Sequence, residues 1–224
     1  DEIAGAMRSE HAAFYVSKTA IYDWLRSVWG QRYCPLLYSQ RSRKKPRTAK
    51  PARVMIPDRV SIDARFRGAT NRTRFGHWEG DTLVSGKRTS SSAAASVAYE
   101  RKSKFIQARR IPNLKPASHN RALHDMLANK KALSLTQDNG IENTRHAELG
   151  IATFFCDPYS SWQKGGVENV NKMIRRYIAK GTDLATVSQE YLDQIVAVIN
   201  GKPRRSLGYR TALEVATSAG LFLT

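Results

Sequence analysis

Cysteine is nearly missing from this 224-residue chain: Cys34 and Cys156 are the only two, too few for a zinc quartet or a disulfide framework. A reducing, cytoplasmic setting is the simplest expectation. Long apolar runs are missing as well. No stretch approaches the ~20 residues that a bilayer span needs, and no signal-like start is visible, so no membrane association is expected. The chain also lacks an initial methionine: it opens at Asp1 inside a helical pattern, as a piece of something longer would, with an upstream part missing. Acids are the last scarcity. Nineteen Asp and Glu stand against 37 Lys and Arg, a formal charge of +18. Such an excess points to a polyanionic partner, most commonly nucleic acid. A solvated basic surface or a ribosomal or chromatin-like packing role stays open on charge alone.

What is present begins with short helices. Asp1 can cap a helix over Ile3, Ala4 and Met7, and Ser17 a second one before Ile21, Trp24, Leu25 and Val28. Two short helices with a tight link suggest a helix-turn-helix whose second helix exposes Lys18, Thr19, Tyr22 and Arg26 toward a DNA groove; a plain packing hairpin is the alternative. Arg41, Arg43, Lys44, Lys45, Arg47, Lys50 and Arg53 follow, interrupted by Pro46 and Pro51 and by no acid. That composition cannot fold by itself and reads as an extended basic linker, able to neutralise phosphates if laid along a duplex.

After Arg74 the pattern turns to strands. Residues 76–84, 94–99 and 105–111 read as three strands, 116–129 as a helix with Ala122, Leu123, Met126 and Leu127 inward, 132–137 as a buried strand ending at Asp138-Asn139-Gly140, and 151–156 as a short strand. The stretch that follows, CDPYSSWQKGGVENVNKMIRRYIAK (156–180), carries Val167, Val170, Ile174, Tyr177 and Ile178 at spacings of three and four, which predicts one buried helix face. Glu168, Asn171, Lys172 and Arg175 then share the opposite face. A further helix is expected over 187–199. Three strands, helix, strand, helix, strand, helix implies an α/β fold, a mixed sheet flanked by helices.

Three acids occupy element positions that such a sheet can bring to one edge: Asp81 within the first strand, Asp138 at the end of the central strand, and Glu168 near a helix start. Each has a plain explanation. Asp138-Asn139-Gly140 is a turn signature, Asp81 suits a strand end, and Glu168 complements a helix dipole. Gathered together they conflict, because two carboxylates about 4 Å apart repel by ~4 kcal/mol at an effective dielectric of 20. Divalent cations remove the conflict, and a pair of magnesium or manganese ions serves phosphodiester chemistry. Glu79 shares a strand face with Asp81 by alternation and is expected to be structural. His77, His119, His124 and His146 show no metal-ligand spacing. Trp78 and Trp162 suit packing, although Trp162 could stack on an unpaired base.

GHWEGD (76–81), YERKS (99–103), LTQDNG (135–140), FCDPYSSWQKGGVENVNKMIRRYIAKGTD (155–183) and RRSLGY (204–209) resemble, in combination and over essentially the whole chain, bacterial insertion-sequence transposases of the insertion sequence thirty family. The resemblance implies a helix-turn-helix domain over 1–40, the second of two, a basic linker over 41–73, and over 74–224 a ribonuclease H-like catalytic core, with C-terminal helices, of the kind shared with retroviral integrases. It carries a DDE triad onto Asp81, Asp138 and Glu168, with two Mg2+ or Mn2+ ions as cofactors. The implied activity is cleavage of double-stranded DNA at transposon ends and joining of the 3′-hydroxyl to a target strand, by a homodimer at the bacterial nucleoid. A catalytically inactive DNA-binding regulator and a ribonuclease H-like nuclease without strand joining are the alternatives. Lys164, Asn171, Lys172, Arg175 and Arg176 are the expected DNA contacts near the triad. Ser161, Ala179 and Ala212 stand at usual prolines, Lys172 at a usual glycine, and Gly166-Val167 at a usual polar pair; none of these departures touches the triad.

Overall fold

The computed structural model describes residues 2–9, 13–37, 56–86, 88–158 and 160–223. Helices α1 (Glu2–Ser9), α2 (Lys18–Arg26) and α3 (Arg67–Thr70) precede strands β1 (His77–Val84), β2 (Ala94–Glu100) and β3 (Ile106–Ile111). Then come α4 (Pro116–Leu127), β4 (Ser134–Gln137), β5 (Ala152–Phe155), α5 (Gly165–Ile174), α6 (Gln189–Asn200) and α7 (Ala212–Ser218). The strands form one sheet in the order β3-β2-β1-β4-β5. The first three pair antiparallel, as short links allow, whereas β4 and β5 join in parallel, which requires crossovers; α4 supplies the first. The result is a five-stranded mixed sheet flanked by helices. Between β4 and β5 the crossover contains two 3-10 turns, Ile141–Asn143 and His146–Leu149, where the sequence pattern suggested a helix.

Alternation along β1 sets the two cores. Trp78 packs with Leu123, Met126 and Leu127 of α4 and Ala216 of α7. Leu83 points the other way, into a cluster with Val167, Val170 and Ile174 of α5 and Leu192, Ile195 and Ile199 of α6. Glu79 and Asp81 share the Leu83 face, so both lie on the α5 side of the sheet. Helix α5 stops at Ile174 and continues as turns. The helical period therefore lapses: Ile178 is buried, but Tyr177, expected on the same face, is exposed.

Both sheet edges are covered, as exposed backbone edges demand. Along β3, the Asn200 side chain accepts from Ile106 N–H (3.0 Å) and donates to Ile106 C=O (2.9 Å), and Gln189 does the same for Arg110 N–H and Ala108 C=O. Beyond β5, Phe155 N–H donates to Val60 C=O at 2.9 Å and Ser61 forms a parallel bridge with Phe155. Residues 56–73 are thus folded onto the sheet, with Ile56, Ile62 and Ala69 buried, although the sequence places them in an extended linker. Their apolar side chains anchor the strap. Residues 41–55, with Arg41, Arg43, Lys44, Lys45 and Arg47, lie outside the described residues.

Ser17 caps α2 as expected, accepting from Ala20 N–H at 3.2 Å. α2 buries none of its residues, and Trp24 and Val28 are exposed. α1 ends at Ser9 and α2 begins at Lys18; residues 10–12 between them lie outside the described residues. Among the described residues no helix is long and apolar enough to cross a membrane.

Candidate active site

Strand register brings the first two acids together. β1 and β4 pair in parallel with Trp78 opposite Leu135 and Glu79 opposite Thr136. Two further steps set Asp81 level with Asp138, just past the end of β4. Their carboxylates converge on one point. Asp81 Oδ1 lies 2.9 Å and Asp138 Oδ2 3.0 Å from the ammonium of Lys164.

Each aspartate has its other oxygen held by an asparagine. Asn171 Nδ2 donates to Asp81 Oδ2 at 2.7 Å, and Asn143 Nδ2 donates to Asp138 Oδ1 at 3.0 Å. Asn143 is held in turn by Gln137, whose Nε2 donates to Asn143 Oδ1 at 2.6 Å and lies 3.3 Å from His119 Nε2. Burial pushes the His119 imidazole down to about 4, so it stays neutral and can accept. Arg59 steadies the turn after Asp138 from outside. Its Nε donates to Asn139 Oδ1 at 2.8 Å and its terminal nitrogen to Cys156 C=O at 2.9 Å.

Glu168 is on the same side of α5 but is not in the cluster. It sits one turn before Asn171, which reaches Asp81, so the helix directs it toward the same sheet edge. Its carboxylate is paired with Lys172 at 2.8 Å, with both side chains about half exposed. Among the described residues no three His, Cys, Asp or Glu side chains gather closely enough to hold a metal ion. The acids stand as two plus one.

The expected DNA contacts divide as well. Lys164 is buried, only 7% exposed, and faces the aspartates rather than solvent. Burial opposes its charge, but Asp81 and Asp138 outweigh that and hold its pKa above the ordinary lysine value. Asn171 is spent on Asp81. Arg175 donates to Val84 C=O at 2.6 Å, tying the end of α5 to the end of β1. Arg176 is exposed, 3.4 Å from Leu36 C=O, and Arg26 is exposed beside Asp23. Lys18 and Thr19 are exposed and Tyr22 half-buried. A cleft of about 940 Å3 brings Lys18 and Tyr22 together with Arg176, Lys202, Arg204 and Arg205. Trp162 is 63% exposed just before α5.

No protein-family model matches the chain. Among curated proteins it is similar to the transposase for insertion sequence element IS1086 of Cupriavidus metallidurans, 38% identical over 207 residues, covering 88% of this chain and 59% of that protein. The transposase InsI for insertion sequence element IS30C of Escherichia coli is 38% identical over 180 residues, 77% of this chain and 46% of that protein. The transposase for IS4351 of Bacteroides fragilis is 35% identical over 234 residues, 96% of this chain and 67% of that protein. The chain belongs to the bacterial insertion-sequence transposases of the IS30 family. It spans about half to two thirds of the length of these relatives. Among solved structures, the catalytic core domain of BIV integrase aligns with 64% of this chain and 95% of its own, at 21% identity and a TM-score of 0.48.

Proposed function

We propose that this chain carries the catalytic core of a DDE transposase, which cleaves double-stranded DNA at the ends of an insertion sequence and joins the freed 3′-hydroxyl to a target strand. The observation that supports this most is the convergence of Asp81 and Asp138 on a single cation position, with their outer oxygens held by Asn171 and Asn143. The donor set fits a hard divalent ion: carboxylate oxygens converge on one point, and buried Asn171 Oδ1 beside them has no hydrogen-bond partner among the described residues. Asp81, Asp138 and Glu168 would hold two Mg2+ or Mn2+ ions, which when bound supply activation of the attacking oxygen and stabilisation of the leaving one. The asparagines hold the aspartates in a fixed orientation, so little reorganisation is needed at the reacting phosphate. Glu168 completes the set by exchanging its Lys172 partner.

DNA would run along the basic cleft that joins Lys18 and Tyr22 to Arg176 and Arg204, with residues 1–40 acting as a DNA-binding module and the basic tract 41–55 lying on phosphates. Trp162, 63% exposed, would stack on an unpaired base. A homodimer is expected because two element ends have to be held together, and the bacterial nucleoid is where such DNA lies. Incubating the protein with element-end DNA and Mg2+ tests the proposal. Metal-dependent nicking followed by strand-joined product supports it. Nicking without joined product indicates a plain nuclease, and binding without nicking indicates a regulator.

A further inference from the structure

Lys164 is built into the site more completely than a DNA contact requires. Its ammonium has three protons and meets three oxygens: Asp81 Oδ1 at 2.9 Å, Asp138 Oδ2 at 3.0 Å and Gly80 C=O at 3.3 Å. The side chain is 8% exposed, so the charge has been taken out of water and leans on those oxygens. It rises from the residue that caps α5, with non-helical φ −124° and ψ 41°, on a flexible four-carbon stem. The same two carboxylate oxygens are the ones left free by Asn171 and Asn143. One position is therefore contested.

We propose that Lys164 is the site's resident cation: its ammonium holds Asp81 and Asp138 together before a divalent ion binds, and the first ion enters by displacing it. This rests on the metal-dependent reading above. Removing the ammonium uncovers two facing carboxylates, so the protein without metal should lose stability while its attraction for a divalent ion grows. Keeping the charge with a bulkier head should not have that effect. The exchange also turns a group buried in the absence of metal into one that can meet a phosphate once metal is bound.

Mn2+ alone, without DNA, is the probe. Titration followed by electron paramagnetic resonance should show Lys164→Met binding Mn2+ at least ~10-fold more tightly than the unsubstituted protein. Lys164→Arg should not tighten it. The melting temperature of Lys164→Met should be lower without metal and should rise more on adding Mn2+. Binding equal to or weaker than that of the unsubstituted protein would overturn the proposal. A second readout uses 15N-lysine labelling: Lys104 is also buried, with its ammonium on Arg101 C=O, so the Lys164 ammonium signal is the slowly exchanging one absent from Lys164→Met, and in the unsubstituted protein it should be present without metal and vanish on saturation with Mg2+. Its persistence at saturation would equally overturn the proposal. Asp138→Asn separates the two claims. If Asp138→Asn abolishes Mn2+ binding but Lys164→Met does not tighten it, the exchange fails and the metal site stands; if Asp138→Asn leaves Mn2+ binding unchanged, the metal-site reading fails too.

Discussion

Glu79 and Arg101 form an ion pair sealed inside the protein beneath the first turn of α5, Glu79 fully buried and Arg101 only 4% exposed. The other Glu79 oxygen accepts from Val167 N–H at 2.8 Å, and Arg101 Nε donates to Ala69 C=O at 2.8 Å. One carboxylate thus fixes β1 two residues before Asp81 and α5 one residue before Glu168. The pair also reaches the strap that covers the β5 edge.

Arg101→Met removes one partner and leaves a buried carboxylate uncompensated. Urea unfolding should show a loss of ~3–5 kcal/mol, and the double variant Glu79→Leu with Arg101→Met should recover part of it, because a buried pair replaced by apolar groups costs less than a broken one. A single-variant loss below about 1 kcal/mol would contradict the assignment.

Gly166 lets α5 lie this close to the sheet. A Cβ there would fall 2.7 Å from Glu79 Oε2 and closer still to the Tyr99 ring, which is itself buried. Gly166→Ala should cost ~1–3 kcal/mol by overpacking and should lower cleavage as well, since the turn carrying Glu168 must lift. Thermal melts and a nicking assay on the same preparation check both effects.

His119 supplies the pH dependence. Its folded pKa, about 4, lies below the ordinary value of 6.5. The stability that this contributes is therefore present above about pH 6.5 and is lost as pH falls toward 4, because the unfolded chain takes up the proton first, to the extent of up to ~3 kcal/mol. His119→Gln should flatten the melting temperature across that window. An unchanged slope would show that other groups set it.

The sheet was legible because β1 to β5 are short and bounded by turn residues, and α4, α5 and α6 carry regular apolar spacing. The strap was not, since Ile56, Ile62 and Ala69 are isolated apolar residues in a basic stretch whose burial depends on a sheet edge far along the chain. At the site, the three acids stood out as residue types within a strand, after a strand and near a helix start, and the parallel register of β1 on β4 explains why two of them meet. Asn143 carried no local signal beyond the turn it belongs to. Lys164 and Asn171 were visible as polar groups near Glu168, but whether such a group faces DNA or a carboxylate depends on the distance between α5 and β1, which the glycine at 166 sets.

The most direct measurement is strand cleavage of element-end DNA by Glu168→Gln with Mg2+. Glutamine keeps the size and removes the charge, so cleavage should fall at least ~100-fold while DNA binding stays at the unsubstituted level. Cleavage retained at the unsubstituted rate, with normal DNA binding, would contradict the assignment of Asp81, Asp138 and Glu168 as one catalytic set.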